Sequence, residues 1–131
     1  MHRPRVLIVD DEEDIRVSLM AVLEREGYSV AQAPDGDNAL AHLEVHDVPA
    51  AMLLDLMMPR LSGWEVLATC SKTERLRSMP VIVMSALDAA TAHVHGGTVA
   101  YFRKPLDLKR LLDRLHELTA SPSGASVGLA S

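Results

Sequence analysis

The stretch VLIVDD, residues 6–11, decides the fold, because four apolar residues without alternation run directly into two acids. A strand that is apolar on both sides is typical of the centre of a parallel sheet, where helices cover both faces. Acids that follow such a strand lie at its carboxyl end. The stretch therefore predicts an α/β domain with acidic groups at one edge of a parallel sheet.

Further apolar runs and helical segments follow along the chain. A weaker run over residues 28–33 is interrupted by Ser29 and Gln32, which suits a strand at a sheet edge. Leucines repeat at helical spacing after Asp107, a predicted N-cap. The alternation of strand and helix five times over predicts a five-stranded parallel sheet of order 2-1-3-4-5 with helices on both faces. The other central strands are predicted at residues 51–54, 81–84 and 99–102.

Length and composition favour one domain. The chain has 131 residues, of which 48% are hydrophobic, enough for one core. We expect the domain to span residues 1–119 and a tail or linker rich in Ser and Gly to span residues 120–131.

The net charge and the lack of a recognisable targeting signal limit the partners and the cellular compartment that we expect. A net charge of -5 gives no basic stripe, so nucleic-acid binding by this domain is not expected. No signal peptide or membrane span is recognisable, and a single cysteine allows no internal disulfide. We therefore expect a cytoplasmic protein without a membrane partner.

Polar side chains stand where the predicted central strands end. Because the carboxyl ends of parallel strands share one edge, these side chains should converge. Three carboxylates in one place repel one another unless a cation lies among them, and an all-oxygen cluster beside a lysine suits Mg²⁺. The residues are Asp10 and Asp11 after the first strand, Asp55 after the third, Ser85 after the fourth and Lys104 after the fifth.

The same set predicts phosphoryl chemistry. Asp55 stands alone at the end of the central strand, where its carboxylate could attack a phosphoryl group and form an acyl phosphate. Asp10 and Asp11 would hold Mg²⁺, Lys104 would neutralise charge from the other side, and the Ser85 hydroxyl would bind phosphoryl oxygens. Movement of Ser85 toward the new group would make strand 4 and its following loop respond to phosphorylation.

Four segments of the chain stand out together: VLIVDDEED (6–14), MLLDLMMPRLSGWEVL (52–67), PVIVMSA (80–86) and YFRKPLDL (101–108). With these segments, the chain from residue 5 to about residue 118 resembles the bacterial response-regulator receiver family. The resemblance implies a flavodoxin-like fold and a phosphorylatable receiver domain of a two-component signalling system. It also implies Asp10 and Asp11 as the acid pair, Asp55 as phosphoacceptor, Ser85 as switch hydroxyl and Lys104 as the phosphate-binding lysine.

Three further roles rest on the resemblance alone. Tyr101 matches the aromatic residue whose rotamer follows Ser85. Lys104-Pro105 matches a cis peptide bond, an isomer that is rare elsewhere. The backbone carbonyl of Met57, two residues after the acceptor, matches a further metal ligand.

The sequence departs from the family in two places. Between Ser85 and Lys104 the chain is shorter than usual, so we expect a short helix before the fifth strand and an altered partner surface there. Met57 and Leu87, two residues after the acceptor and after the switch hydroxyl, are apolar and cannot orient a hydrolytic water. Slow self-dephosphorylation is therefore expected.

Competing functions differ in the residues that they need. The main prediction is a switch, not a metabolic enzyme, phosphorylated by a histidine kinase or histidine phosphotransfer protein and acting on an unidentified downstream protein or effector domain. The alternative is a phosphorylation-independent interaction module, which would normally lack the acceptor, an acid or the lysine. A hydrolase of the haloacid dehalogenase type is set aside because Met57 stands where its second Asp is needed. The sequence leaves open the cognate kinase, the output, the oligomeric state and whether the chain is part of a longer regulator.

Overall fold

A computed structural model describes residues 3–88, residue 92 and residues 98–120 of the chain. Within this part, five parallel strands form one sheet of order β2-β1-β3-β4-β5, so the predicted fold class and strand order are confirmed. The strands are β1 (Arg5–Val9), β2 (Ser29–Ala33), β3 (Ala51–Asp55), β4 (Val81–Ser85) and β5 (Thr98–Arg103).

Helices cover both faces of the sheet. The predicted N-cap Asp107 is present, since its carboxylate accepts a hydrogen bond of 3.2 Å from the amide of Arg110. Two predictions, the short helix before β5 and the tail, fall largely outside the described residues, apart from the helical residue Ala92. The helices of the described ranges are α1 (Glu13–Arg25), α2 (Gly36–Val45), α3 (Gly63–Lys72) and α4 (Leu108–Thr119).

The central strands are buried on both faces, which explains why their sequences do not alternate. In β1, Leu7 and Val9 pack into a core shared with α2 and α3, whereas Val6 and Ile8 pack into a second core shared with α1 and α4. All residues of β3 and β4 are buried. In β2 only Ala33 is buried, in agreement with a strand at the sheet edge.

Tight packing fixes the start of α3 against the end of β3. A Cβ atom on Gly63 would come within 2.4 Å of the backbone oxygen of Asp55, so only glycine permits this approach. The Gly63 amide donates to the Leu56 oxygen at 2.9 Å. Arg60, at φ 64°, forms an ion pair of 2.7 Å with Asp35, the N-cap of α2. The loop after β3 is thus held in place by contacts with the beginnings of α2 and α3.

Two other side chains of α3 connect it with the rest of the molecule. Trp64 donates from its indole Nε1 to the backbone oxygen of Ala92 at 2.8 Å, and so contacts the chain between β4 and β5. Cys70 is only 4% exposed, and burial raises the pKa of its thiol to about 11. No helix of the described ranges combines the length and the apolar character needed to cross a membrane.

Candidate phosphoacceptor site

Three carboxylates meet at the carboxyl edge of the sheet. One carboxylate oxygen from each of Asp10, Asp11 and Asp55 lies within 4.8 Å of the others. Asp10 and Asp55 are buried at 0% and 4% exposure, while Asp11 is exposed. The adjacency of β1 and β3 produces this meeting, because Asp10 directly follows β1 and Asp55 ends β3.

Lys104 reaches this cluster from the end of β5. Its Nζ lies 2.9 Å from Asp10, 3.5 Å from Asp55 and 3.6 Å from Glu12. Burial disfavours the ammonium, but the hydrogen bond to Asp10 and the charges of all three acids together raise the pKa of Lys104. The Lys104 amide donates to the Ser85 oxygen at 2.7 Å, and the Lys104–Pro105 peptide bond is cis.

Burial and neighbouring charges act together on the carboxyl group of Asp55. Burial raises the pKa of its carboxyl to about 6, and the negative charges of Asp10 and Asp11 add to this effect, while Lys104 and the Met57 amide oppose it. That amide donates to Asp55 Oδ1 at 3.2 Å. A divalent cation would relieve the repulsion among the carboxylates, and hard oxygen donors fit Mg²⁺. The donor set therefore suits the predicted metal.

A second set of contacts fixes the backbone that carries the acid pair. The Arg16 Nη1 donates to the backbone oxygen of Asp10 at 2.7 Å, and its Nε donates to Gln32 Oε1 at 3.0 Å. The Asp10 amide donates to the Ala33 oxygen at 3.2 Å. Neither Arg16 nor Glu12 was predicted to belong to the site, since neither directly follows a strand.

Ser85 and Tyr101 are connected through one residue, Leu87. The Leu87 amide donates to Ser85 Oγ at 3.1 Å, and the Tyr101 hydroxyl donates to the Leu87 oxygen at 2.6 Å. Ser85 is fully buried, whereas Tyr101 and Leu87 are partly exposed. A displacement of the Ser85 side chain would thus be transmitted to Tyr101 through the backbone of Leu87.

Comparison with known proteins agrees with the fold and the site. The sequence model of the response regulator receiver domain matches residues 6–116. The chain therefore belongs to the receiver domain family of bacterial two-component response regulators. Response regulator MprA from Mycolicibacterium vanbaalenii is 41% identical over 117 residues, which cover 87% of this chain and 49% of that protein. This chain thus spans about half the length of the curated relatives that it matches.

Solved structures of similar fold are receiver domains. The receiver domain of Francisella response regulator 1452 has a TM-score of 0.81 at 30% identity, covering 89% of this chain and 97% of that one. A sensor histidine kinase receiver domain from Pseudomonas aeruginosa, with magnesium coordinated in its active-site cleft, has a TM-score of 0.81 at 25% identity, covering 92% and 100%. Response regulator TrrA from Thermotoga maritima, in complex with magnesium and BeF, has a TM-score of 0.75 at 28% identity, covering 88% and 98%.

Proposed function

We propose that this receiver domain accepts a phosphoryl group on Asp55 and transmits the event through Ser85 to Tyr101. The observation that carries the proposal is the buried Asp55 carboxylate, which lies beside two further acids and 3.5 Å from the Lys104 ammonium. A structural ion pair would need one acid for one lysine. Three acids around one lysine leave excess negative charge, which a bound divalent cation would neutralise so that an anionic phosphoryl donor could approach Asp55.

The chemistry is a direct displacement at phosphorus. A carboxylate oxygen of Asp55 forms the new bond to phosphorus, while the bond to the donor's leaving atom breaks and that atom keeps the electron pair. Mg²⁺, held by the carboxylates of Asp10, Asp11 and Asp55 and the backbone carbonyl of Met57, would neutralise charge on the phosphoryl oxygens. Lys104 places its ammonium beside the acceptor and offsets the remaining charge.

The switch uses contacts that already exist around Ser85. Once a phosphoryl group is attached to Asp55, the Ser85 hydroxyl donates to one of its oxygens, and the hydrogen bond from the Leu87 amide is strained or lost. The Leu87 carbonyl moves with its peptide segment, so the Tyr101 hydroxyl must follow or find another partner. The result is a changed surface beside β5.

The proposed partners are those that membership of the receiver family implies. A histidine kinase or a histidine phosphotransfer protein would supply the phosphoryl group. The MprA response regulators that match this chain are about twice as long as the matched segment. An effector domain or a separate target protein would recognise the switched surface. We propose that these steps take place in the cytoplasm, where histidine kinases present their phosphorylated histidine.

Intact mass after incubation with Mg²⁺ and acetyl phosphate tests the proposal. We expect one phosphoryl increment in the wild type and in Asp37→Asn, a control that removes an acid in the first turn of α2. Asp55→Asn and a sample with chelated metal should show no increment, because the nucleophile or the charge neutralisation is missing.

Two results would contradict the proposal. An undiminished increment in Asp55→Asn would place the phosphoryl group on another residue. No increment in the folded wild type, either from acetyl phosphate or from phosphorylated histidine kinases, would favour an interaction module that works without phosphorylation.

A further inference from the structure

The geometry points to Arg16 as a positioning residue of the acid pair, an inference that rests on the proposed function. Arg16 lies on α1, outside the cluster of three carboxylates, and its guanidinium donates to a backbone oxygen and to a side-chain amide oxygen. It binds to the backbone on which Asp10 and Asp11 are mounted. Through Gln32, it also connects that backbone with the edge strand β2.

The peptide unit between Asp10 and Asp11 is the part that Arg16 holds. The Asp10 oxygen, which accepts from Arg16 at 2.7 Å, belongs to the rigid plane that joins the two acids. On the other side of Asp10, its amide donates to the Ala33 oxygen at 3.2 Å. With both neighbouring peptide units held, the Asp10 side chain is fixed in the buried site while that of Asp11 is exposed.

Arginine is suited to this task because its guanidinium presents donors in a fixed planar arrangement. One nitrogen, Nη1, binds the loop after β1, and another, Nε, binds Gln32 Oε1 on β2 at 3.0 Å. The amide nitrogen of Gln32 in turn contacts Met20 Sδ at 3.4 Å, which helps to orient the glutamine. A lysine could make one of the two contacts but not both in the same geometry.

Removal of Arg16 should change the affinity for Mg²⁺ in opposite directions, depending on whether Arg16 acts through its charge or through its hydrogen bonds. A positive charge near a cation site opposes Mg²⁺ binding, so loss of the charge alone would tighten binding. Loss of the hydrogen bond to Asp10 would instead free the peptide unit and let the two acids adopt geometries that do not bind the metal. Residues that orient metal ligands typically contribute about 10- to 100-fold to affinity.

Isothermal titration of the metal-free protein with Mg²⁺ measures the effect directly. We expect Arg16→Gln to weaken Mg²⁺ binding about tenfold, at the lower end of the range for residues that orient metal ligands. Arg16→Lys and Gln32→Ala should each weaken Mg²⁺ binding by less than this, because the lysine can keep one of the two contacts and the alanine removes only the support of Arg16. Arg25→Gln, with the same charge change in the last turn of the same helix, should bind Mg²⁺ as the wild type does.

Phosphorylation by acetyl phosphate provides a second readout. In Arg16→Gln the Mg²⁺ concentration that gives half-maximal rate should rise about tenfold, while the rate at saturating Mg²⁺ stays near that of the wild type. A general loss of folding would lower the plateau rate as well. Should Arg16→Gln not fold, as judged by urea denaturation, Arg16→Lys and Gln32→Ala carry the same test.

The outcomes separate this inference from the proposed function. Unchanged or tighter Mg²⁺ binding in Arg16→Gln, or an equal loss in Arg25→Gln, overturns the positioning role and leaves the phosphoacceptor proposal intact. Failure of the wild type to bind Mg²⁺ overturns both. Weaker binding confined to Arg16 and Gln32 variants supports the inference.

Discussion

Met57 and Leu87 lie two residues after the proposed acceptor Asp55 and two residues after Ser85, and we expect these two positions to control the access of water to a phosphorylated Asp55. Met57 is 52% exposed, although its amide donates to Asp55. Leu87 binds Ser85 and Tyr101 through its backbone only. Thioether and alkyl groups are poor or absent hydrogen-bond partners for water, so the acyl phosphate should be long-lived.

Polar side chains at these two positions should shorten that lifetime. We expect the double variant Met57→Asn and Leu87→Glu to lose its phosphoryl group about tenfold faster, less than the roughly 100-fold that a well-placed general base provides. The measurement is the decay of phosphorylated protein by intact mass after the donor is removed. Val45→Asn, which changes a 75% exposed apolar residue on α2, is the control. Equal decay in all three proteins would show that these side chains do not set the lifetime.

Residue types at strand ends were sufficient to predict the cluster around Asp55, because parallel topology brings strand ends together. The contacts of Lys104 with Glu12 and of Arg16 with Gln32 were not predictable in this way. Both depend on how long side chains of α1 or its preceding loop fold back across the sheet edge. The spacing of such residues in the sequence predicts which face of a helix they lie on, but not the direction in which the charged ends of their side chains point.

A group of basic side chains lies around the carboxyl end of α2, at the edge of the sheet opposite to Asp55. The rings of His42 and His46 stack with centroids 4.1 Å apart. Arg75 donates to the backbone oxygens of Leu43, at 2.7 Å, and of His46. Burial lowers the pKa of His42, and the charges of His46 and Arg5 lower it further. A proton on His42 would therefore join an already basic cluster.

This arrangement predicts that the free energy of unfolding depends on pH through His42. Because the folded pKa of His42 lies below its unfolded value, the unfolded chain binds more protons, and stability falls as the pH drops through about 6.5 toward the folded pKa. His42→Phe retains a ring for stacking but has no proton to bind. Its unfolding free energy should therefore fall less than that of the wild type between about pH 7.5 and about pH 5.

Urea denaturation at a series of pH values measures the difference. Val45→Phe is the matched control, since it adds a phenyl group to the same helix without removing a titratable group, and it should keep the wild-type slope. Identical slopes for His42→Phe and the wild type would contradict the assignment of this pH dependence to His42.

Helices and strands with a clear pattern of apolar residues were predictable from the sequence. The residues at which they begin and end were less predictable. The run at residues 99–102 extends to Thr98–Arg103 in the structure, because pairing with β4 continues past the apolar residues. The weaker run at residues 28–33 proved to be β2, but Tyr28 precedes the strand and is buried, with its hydroxyl 2.8 Å from that of Thr119. Tertiary contacts of this kind set element ends and leave no local pattern.

As a whole, the described part of the chain consists of two cores divided by one sheet, with the cluster of Asp10, Asp11 and Asp55 at the carboxyl edge. The two faces of β1 already imply this division, since Leu7 and Val9 alternate with Val6 and Ile8. The connection of α3 to the chain beyond β4, through Trp64 and Ala92, could not be predicted, because it depends on the direction of one indole side chain and not on a strand end. Global topology follows from patterns of apolar residues, whereas the contacts that couple its parts depend on individual side chains.

The buried thiol of Cys70 makes chemical modification a measure of how often the core opens. It is the sole cysteine of the chain and packs on the inner face of α3. This helix begins at the end of the loop that follows Asp55, residues 56–62, which we call the acceptor loop. An aromatic disulfide reagent can react only when that helix separates from the sheet, so labelling should be at least about 1,000-fold slower than for a free thiol.

Ligands that tighten the acceptor loop should slow this reaction further. We expect labelling of Cys70 to slow when Mg²⁺ is added and again after phosphorylation, with no such change in Asp55→Asn for the second step. Rates that do not respond to either would show that α3 opens independently of the site. A side chain with no part in phosphoryl transfer would thus report, through its reactivity alone, how firmly the acceptor loop is joined to one half of the protein.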